Sequence, residues 1–208
     1  MLQAVNAINM HNPASNRVMD ISDLKGHLVR VFTDTQSFIK NLPFGQVEAD
    51  PPEAVFLLSG YSWKQGKFRI WELHFDSNIQ KFTFRPVSAW RGQAAEARKV
   101  VKFVGDETVV AEAKERLTAL LKSRGKIDSG SLDMEPFEVL RDLIREAKHP
   151  TVGGPLQFVK IYRHSNVVPF GVYWPDRTSG KTCVLGRPLL DYEKNPWSTI
   201  DPDTLEKC

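Results

Sequence analysis

Cysteine is nearly absent: Cys183 and Cys208 are the only two in 208 residues. Two thiols cannot build a disulfide framework, so a packed core has to hold the fold, and the expected setting is reducing and cytoplasmic. No CxxC spacing occurs, and His11, His27, His74, His149 and His164 stand too far apart in sequence to form a helical pair. The sequence therefore offers no metal-ligand motif. No apolar run approaches the ~20 residues of a membrane-spanning helix. The first residues, MLQAVNAINMHNP, lack a basic segment ahead of an apolar one, so no signal peptide is expected. A GxSxG elbow is missing. The one glycine-rich stretch, Thr151 to Pro155, has no Lys-Ser/Thr pair after it and leads into a strand, which excludes a phosphate loop. No cofactor is expected. A net charge of +3 is too small to argue for nucleic acid by itself.

What is present is the composition of a globular protein. Hydrophobic residues make up 41% and charged residues 25%. A chain of this length buries roughly 70% of its extended surface. Leu24, Leu28, Val31, Phe32, Phe38, Ile39 and Leu42 fall at helical spacing, with Asp20 or Ser22 as cap and Pro43 as stop. Residues 55–63 open as an apolar run suited to a strand covered on both faces. Residues 68–76 alternate, and 81–90 begin as a third strand that Pro86 places at an edge, giving an antiparallel meander. A short strand over 98–104 leads to Asp106, the expected cap of a helix carrying Val109, Val110, Ala113, Leu117, Leu120 and Leu121 on one face. Asp133 is expected to cap a further helix with Pro136 in its first turn. Strands are expected over 157–163, 170–174 and 182–190. This order gives an α+β fold, with antiparallel sheets packed against helices. The expected organisation is a lead-in at 1–21, a single domain over 22–190 and an irregular tail at 191–208.

Two groups of side chains carry possible chemistry. Cys183 reads as a small core residue, and it is a candidate reactive thiol only if His164 meets it in space. Lys81, Arg85, Arg91, Arg98, Lys99 and Lys102 form a basic stretch with Phe82, Phe84 and Trp90 interleaved. Basic residues beside exposed aromatics suit single-stranded nucleic acid. The alternation in KFTFR instead puts the rings on one face and the charges on the other, as in a core strand with a solvated side. Gly153 reads as a place where the backbone passes close to another strand.

Three stretches together resemble proteasome-type N-terminal-nucleophile (Ntn) hydrolases. VFLLSGYSW with FRIWELHFD is similar to that family's strand pair. KFVGD before a long helix, and PFEVLRDLIREAKHPTVGGPLQFVKIY before FGVYW, are similar to its helix pair and closing hairpin. The resemblance spans residues 22–174 and rests on element order and on Gly60, Gly105 and Gly153. It implies a four-layer αββα sandwich, here incomplete, and amide hydrolysis by an N-terminal Thr, Ser or Cys whose own amine is the base. This chain begins Met1-Leu2, and the strands that carry the nucleophile have no counterpart. No catalytic residue is carried over. The resulting expectation is a non-catalytic relative that assembles, or contacts a protein partner, through helices 107–124 and 135–148. The alternatives are an amidohydrolase whose nucleophile lies in a missing N-terminal segment, and a nucleic-acid or small-ligand binder using the basic stretch.

Overall fold

Asp20 opens the first helix as its sequence predicts. Its carboxylate accepts from the Ser22 amide at 2.8 Å, and α1 then runs over Ile21–Ser37. The computed structural model describes residues 19–38, 51–88, 100–127, 132–163, 167–178 and 180–208. By contacts the chain divides into two compact units where one domain over 22–190 was expected. Unit 1 holds residues 1–88 with 162–165, and unit 2 holds 89–161 with 166–208.

Unit 1 is a helix laid on a three-stranded antiparallel meander. The strands are β1 (Phe56–Ser62), β2 (Lys67–Asp76) and β3 (Lys81–Pro86), in that order. The pairing Phe56↔Leu73, Leu58↔Trp71 and Leu73↔Phe84 puts one apolar row under the helix. Leu28 packs on Trp71 and Leu73, with Phe56 and Leu58 around them. Phe32 of α1 lies 4.8 Å from Phe56 and 5.5 Å from Phe82 between ring centroids. Gly60 lets the helix start sit close, since a Cβ there would run into Ile21. β1 is an edge strand and is not covered on both faces: Leu57 is 40% exposed. An apolar run shows that a strand has something to bury against, not how many neighbours it has. Pro86 does end the opposite edge strand.

Asp20 is wholly buried and also accepts from the Ser62 hydroxyl (2.9 Å) and the Lys64 amide (3.2 Å). Burial alone would raise its pKa, but these hydrogen bonds prevail and lower it to about 2. One carboxylate thus ties the start of α1 to the end of β1. Replacing Asp20 by Ala strands several donors at once. The expected loss is about 2 kcal/mol in unit 1, read as a lower urea midpoint with unchanged slope.

Unit 2 pairs two helices and packs the second of them on a mostly antiparallel sheet. The helices are α2 (Glu107–Ser123) and α3 (Glu135–Glu146). The sheet order is β4 (Phe158–Ile161), β5 (Val167–Trp174), β6 (Lys181–Val184) and β7 (Arg187–Pro188), with β8 (Thr199–Ile200) running parallel beside β5. Ala113, Leu117 and Leu121 of α2 meet Val139 and Leu143 of α3. The other side of α3, through Phe137, packs on Leu156 and on Val172 of β5. The expected strand over 98–104 does not form among its described residues, 100–104. Val101 and Phe103 cover the helix pair instead, which explains their alternation without a ladder. The tail expected to be irregular at 191–208 supplies β8 and Leu205, which packs on the Phe137 cluster.

Neither predicted aspartate caps its helix in unit 2. Asp106 occupies the N-cap without a side-chain bond. At α3 the N-cap is Met134, and the Glu135 carboxylate reaches back to accept from the Asp133 amide at 2.7 Å. A negative group at a helix start serves the same electrostatic end from the first helical position.

Candidate functional site

Ala147, at φ 50°, ends α3 in the left-handed region, and the chain turns through residues 148–155 before entering β4. This turn and the end of β5 enclose a cleft of about 460 Å³ within unit 2. Ile144, Trp174 and Pro175 give the cleft an apolar lining, and His149, Val152 and the Gly153-Gly154 pair also line it. The expected close approach at Gly153 is absent, since a Cβ there would meet nothing. The conformational demand falls on Gly154, at φ 81°.

His149 is held by α2. Its Nε2 lies 2.8 Å from Glu112 Oε2. Lys148, His149 and Arg116 together hold the Glu112 carboxyl at about 2, so it is ionised and accepts. Nε2 therefore carries the proton and donates. Nδ1 has no hydrogen-bond partner among the described residues. Arg116 joins α2 to α3 through Glu146, at 2.5 and 2.6 Å. Arg145, also at the cleft, is committed to Asp203 (2.6 Å) and to the Pro175 carbonyl (2.5 Å), with its guanidinium 5.8 Å from the Trp174 ring centre. The fixed charges around the cleft are thus paired, and its free polar atoms belong to His149 and the backbone.

A second feature lies at the β6–β7 hairpin. Leu185 and Gly186 form a two-residue turn with φ of 50° and 83°. Such turns favour Asn-Gly, because a bulky side chain at positive φ crowds its own carbonyl. Gly186 suits its positive φ, and a Cβ there would also displace the end of the Gln157 side chain. Leu185 has no such excuse and is 57% exposed. Beside it a groove of about 410 Å³ is lined by Leu189, Pro196 and Trp197, with the Arg187–Glu193 pair at its rim. Leu190, Tyr192 (81% exposed) and Trp197 add further uncovered apolar surface.

The structure describes only some of the residues singled out by sequence. Cys183 is buried in β6, where burial pushes its thiol up, and its Sγ lies 3.5 Å from the Lys181 carbonyl. That is the environment of an inert core thiol. His164 lies outside the described residues, as do Arg91, Arg98, Lys99 and Trp90. Lys81 and Arg85 belong to unit 1 and Lys102 to unit 2. Arg85 is paired with the buried Glu72 across the strand register, with Nε to Oε1 at 2.7 Å. The helices expected as contact faces use their apolar stripes inside unit 2, and Arg116–Glu146 and Arg124–Glu138 close their polar edges. Sequence reasoning missed the cleft, because Glu112 and His149 are far apart in the chain. The Leu185 signal was readable: a Leu-Gly pair between strand-like segments where Asn-Gly is usual.

Among the described residues no three His, Cys, Asp or Glu side chains gather for a metal, and no helix is long and apolar enough to cross a membrane. No protein family, curated protein or solved structure matches the chain.

Proposed function

We propose that this chain acts by protein contact, as an assembling subunit, through the β6–β7 hairpin and its flanking groove. The observation that carries this is Leu185. An exposed leucine in the left-handed region costs roughly 1–2 kcal/mol, and the isolated fold gains nothing visible from it. Strain of this kind persists where a side chain serves something outside the fold. The adjoining Leu190, Tyr192 and Trp197 supply the apolar surface such a contact needs.

The framework we propose for it is a non-catalytic relative of the Ntn hydrolases. The reading is supported by a helix pair of which α3 packs on a largely antiparallel sheet in unit 2, and by a helix over a meander in unit 1. In this reading the contact moves from the helices to the hairpin.

The test turns the strain against the contact. Leu185→Asn creates the favoured turn and is expected to raise unit 2 stability by about 1 kcal/mol while abolishing self-association. Sedimentation should show concentration-dependent mass for the native chain and a monomer for the variant. A native chain that stays monomeric at high concentration defeats the proposal, as does a variant that still associates.

A further inference from the structure

We infer that the β1–β2 hairpin of unit 1 binds single-stranded nucleic acid. The inference is independent of the hairpin contact in unit 2. Helix α1 covers one face of the meander, where Gly60 lies against Ile21 and Ser62 donates to Asp20. Side chains alternate along a strand, so Tyr61 of β1 and its register partner Phe68 of β2 belong to the opposite face. Their rings stand edge to face, 5.2 Å apart between centroids. Phe68, and Trp63 just beyond the end of β1, are each more than half exposed. Cations accompany these rings. The Lys64 ammonium lies 5.7 Å from the Trp63 ring centre, and the Arg163 guanidinium, which also belongs to unit 1, lies 5.5 Å from that of Tyr61. No Asp or Glu occurs between Glu53 and Glu72, whereas Lys64, Lys67 and Arg69 do. Asp23 reaches the hairpin from α1, and Lys64 neutralises it at 2.6 Å. Lys67, Arg69 and Arg163 hold no carboxylate among the described residues. Exposed rings offer faces on which bases stack, and uncommitted cations offer partners for phosphates. Two other occupants suit the hairpin less. Its turn is Lys64-Gln65-Gly66-Lys67, with no apolar residue to enter a lipid layer. Lysine is depleted at protein interfaces, and here two lysines bracket the turn.

The experiment is fluorescence anisotropy of labelled oligothymidylate titrated with the full chain at neutral pH. The expected Kd is on the order of 10 µM at about 50 mM salt. Each phosphate held on a single strand adds about 0.7 to the fall of log affinity with log salt, so the three uncommitted cations predict a slope of about −2. Lys67→Ala should make that slope shallower by about 0.7. Phe68→Ala should weaken binding about tenfold and leave the slope as it is, which separates stacking from charge. Trp63→Ala is expected to do the same, and it carries the test if the Phe68 variant fails to fold. An abasic strand keeps the phosphates and a duplex hides its base faces, so each should bind about tenfold more weakly. Vesicles rich in phosphatidylserine should not bind. Any one of four results overturns the inference: no binding by about 100 µM protein at low salt, an abasic strand or duplex held within about threefold of oligothymidylate, vesicles bound in its place, or affinity unchanged in the folded aromatic variants.

Discussion

Replacing Leu117 by alanine is expected to destabilise unit 2 by about 3 kcal/mol, measured by urea unfolding. Leu117 has no exposed surface and sits at the centre of the α2–α3 contact, among Ala113, Leu121, Val139 and Leu143. Removing its outer carbons opens a cavity that two ion-paired helices cannot easily close. Arg116–Glu146 on one side and Arg124–Glu138 on the other hold the helix spacing, so relaxation is limited and the cavity stays largely open. Unit 1 shares none of these contacts. Its own unfolding should keep its midpoint, and a variant that lowers both transitions equally would show that the two units do not unfold separately.

Glu135→Gln should produce a loss of comparable size, and one that depends on pH. Glu135 is 1% exposed. Burial pushes its carboxyl up, but the Lys126 ammonium at 2.5 Å and the amides of Asp133 and Glu135 outweigh that and hold it at about 2. The folded pKa lies below the unfolded value of 4.5, so the ionised form stabilises the fold above pH 4.5. That stability fades as pH falls from there toward 2. Its size is on the order of 3 kcal/mol. The glutamine keeps the shape and can still accept from Asp133, but it removes the Lys126–Glu135 ion pair. Native and variant unfolding energies should therefore differ by about 2–3 kcal/mol at neutral pH and converge near pH 2. A difference that stays constant across that interval would locate the effect in packing.

The elements that the sequence showed plainly are those whose pattern is set by one neighbour. The meander in unit 1 was readable because Phe68 to Phe75 alternate and the turns Lys64 to Gly66 and Ser77 to Gln80 are short. Helices α2 and α3 were readable because their stripes of Val109, Ala113, Leu117 and Phe137, Leu140, Ile144 match the helical repeat. What misled was a pattern with two physical causes. Val101 and Phe103 alternate as a strand would, yet they are a lid on a helix pair. Residues 191–208 looked irregular because prolines at 196 and 202 break any run, although β8 needs only Thr199 and Ile200 to pair. The candidate cleft was invisible for another reason. The Glu112–His149 bond joins the middle of one helix to a turn beyond the next, and no local spacing encodes it. The division into two units likewise depends on contacts between distant residues, which composition cannot show.

The parallel pairing of β5 with β8 bears on how the chain is made. Val172 at the heart of unit 2 takes one neighbour, Cys183, soon after its own synthesis, and the other, Ile200, only much later. Leu205, which completes the Phe137 cluster, emerges later still. A growing chain therefore exposes the apolar side of β5 until Ile200 and Leu205 have left the ribosome, whereas the unit 1 meander closes on itself as soon as Pro86 is out. Distant closures of this kind are slow. Nascent unit 2 is the part of this protein that most needs shelter while it waits.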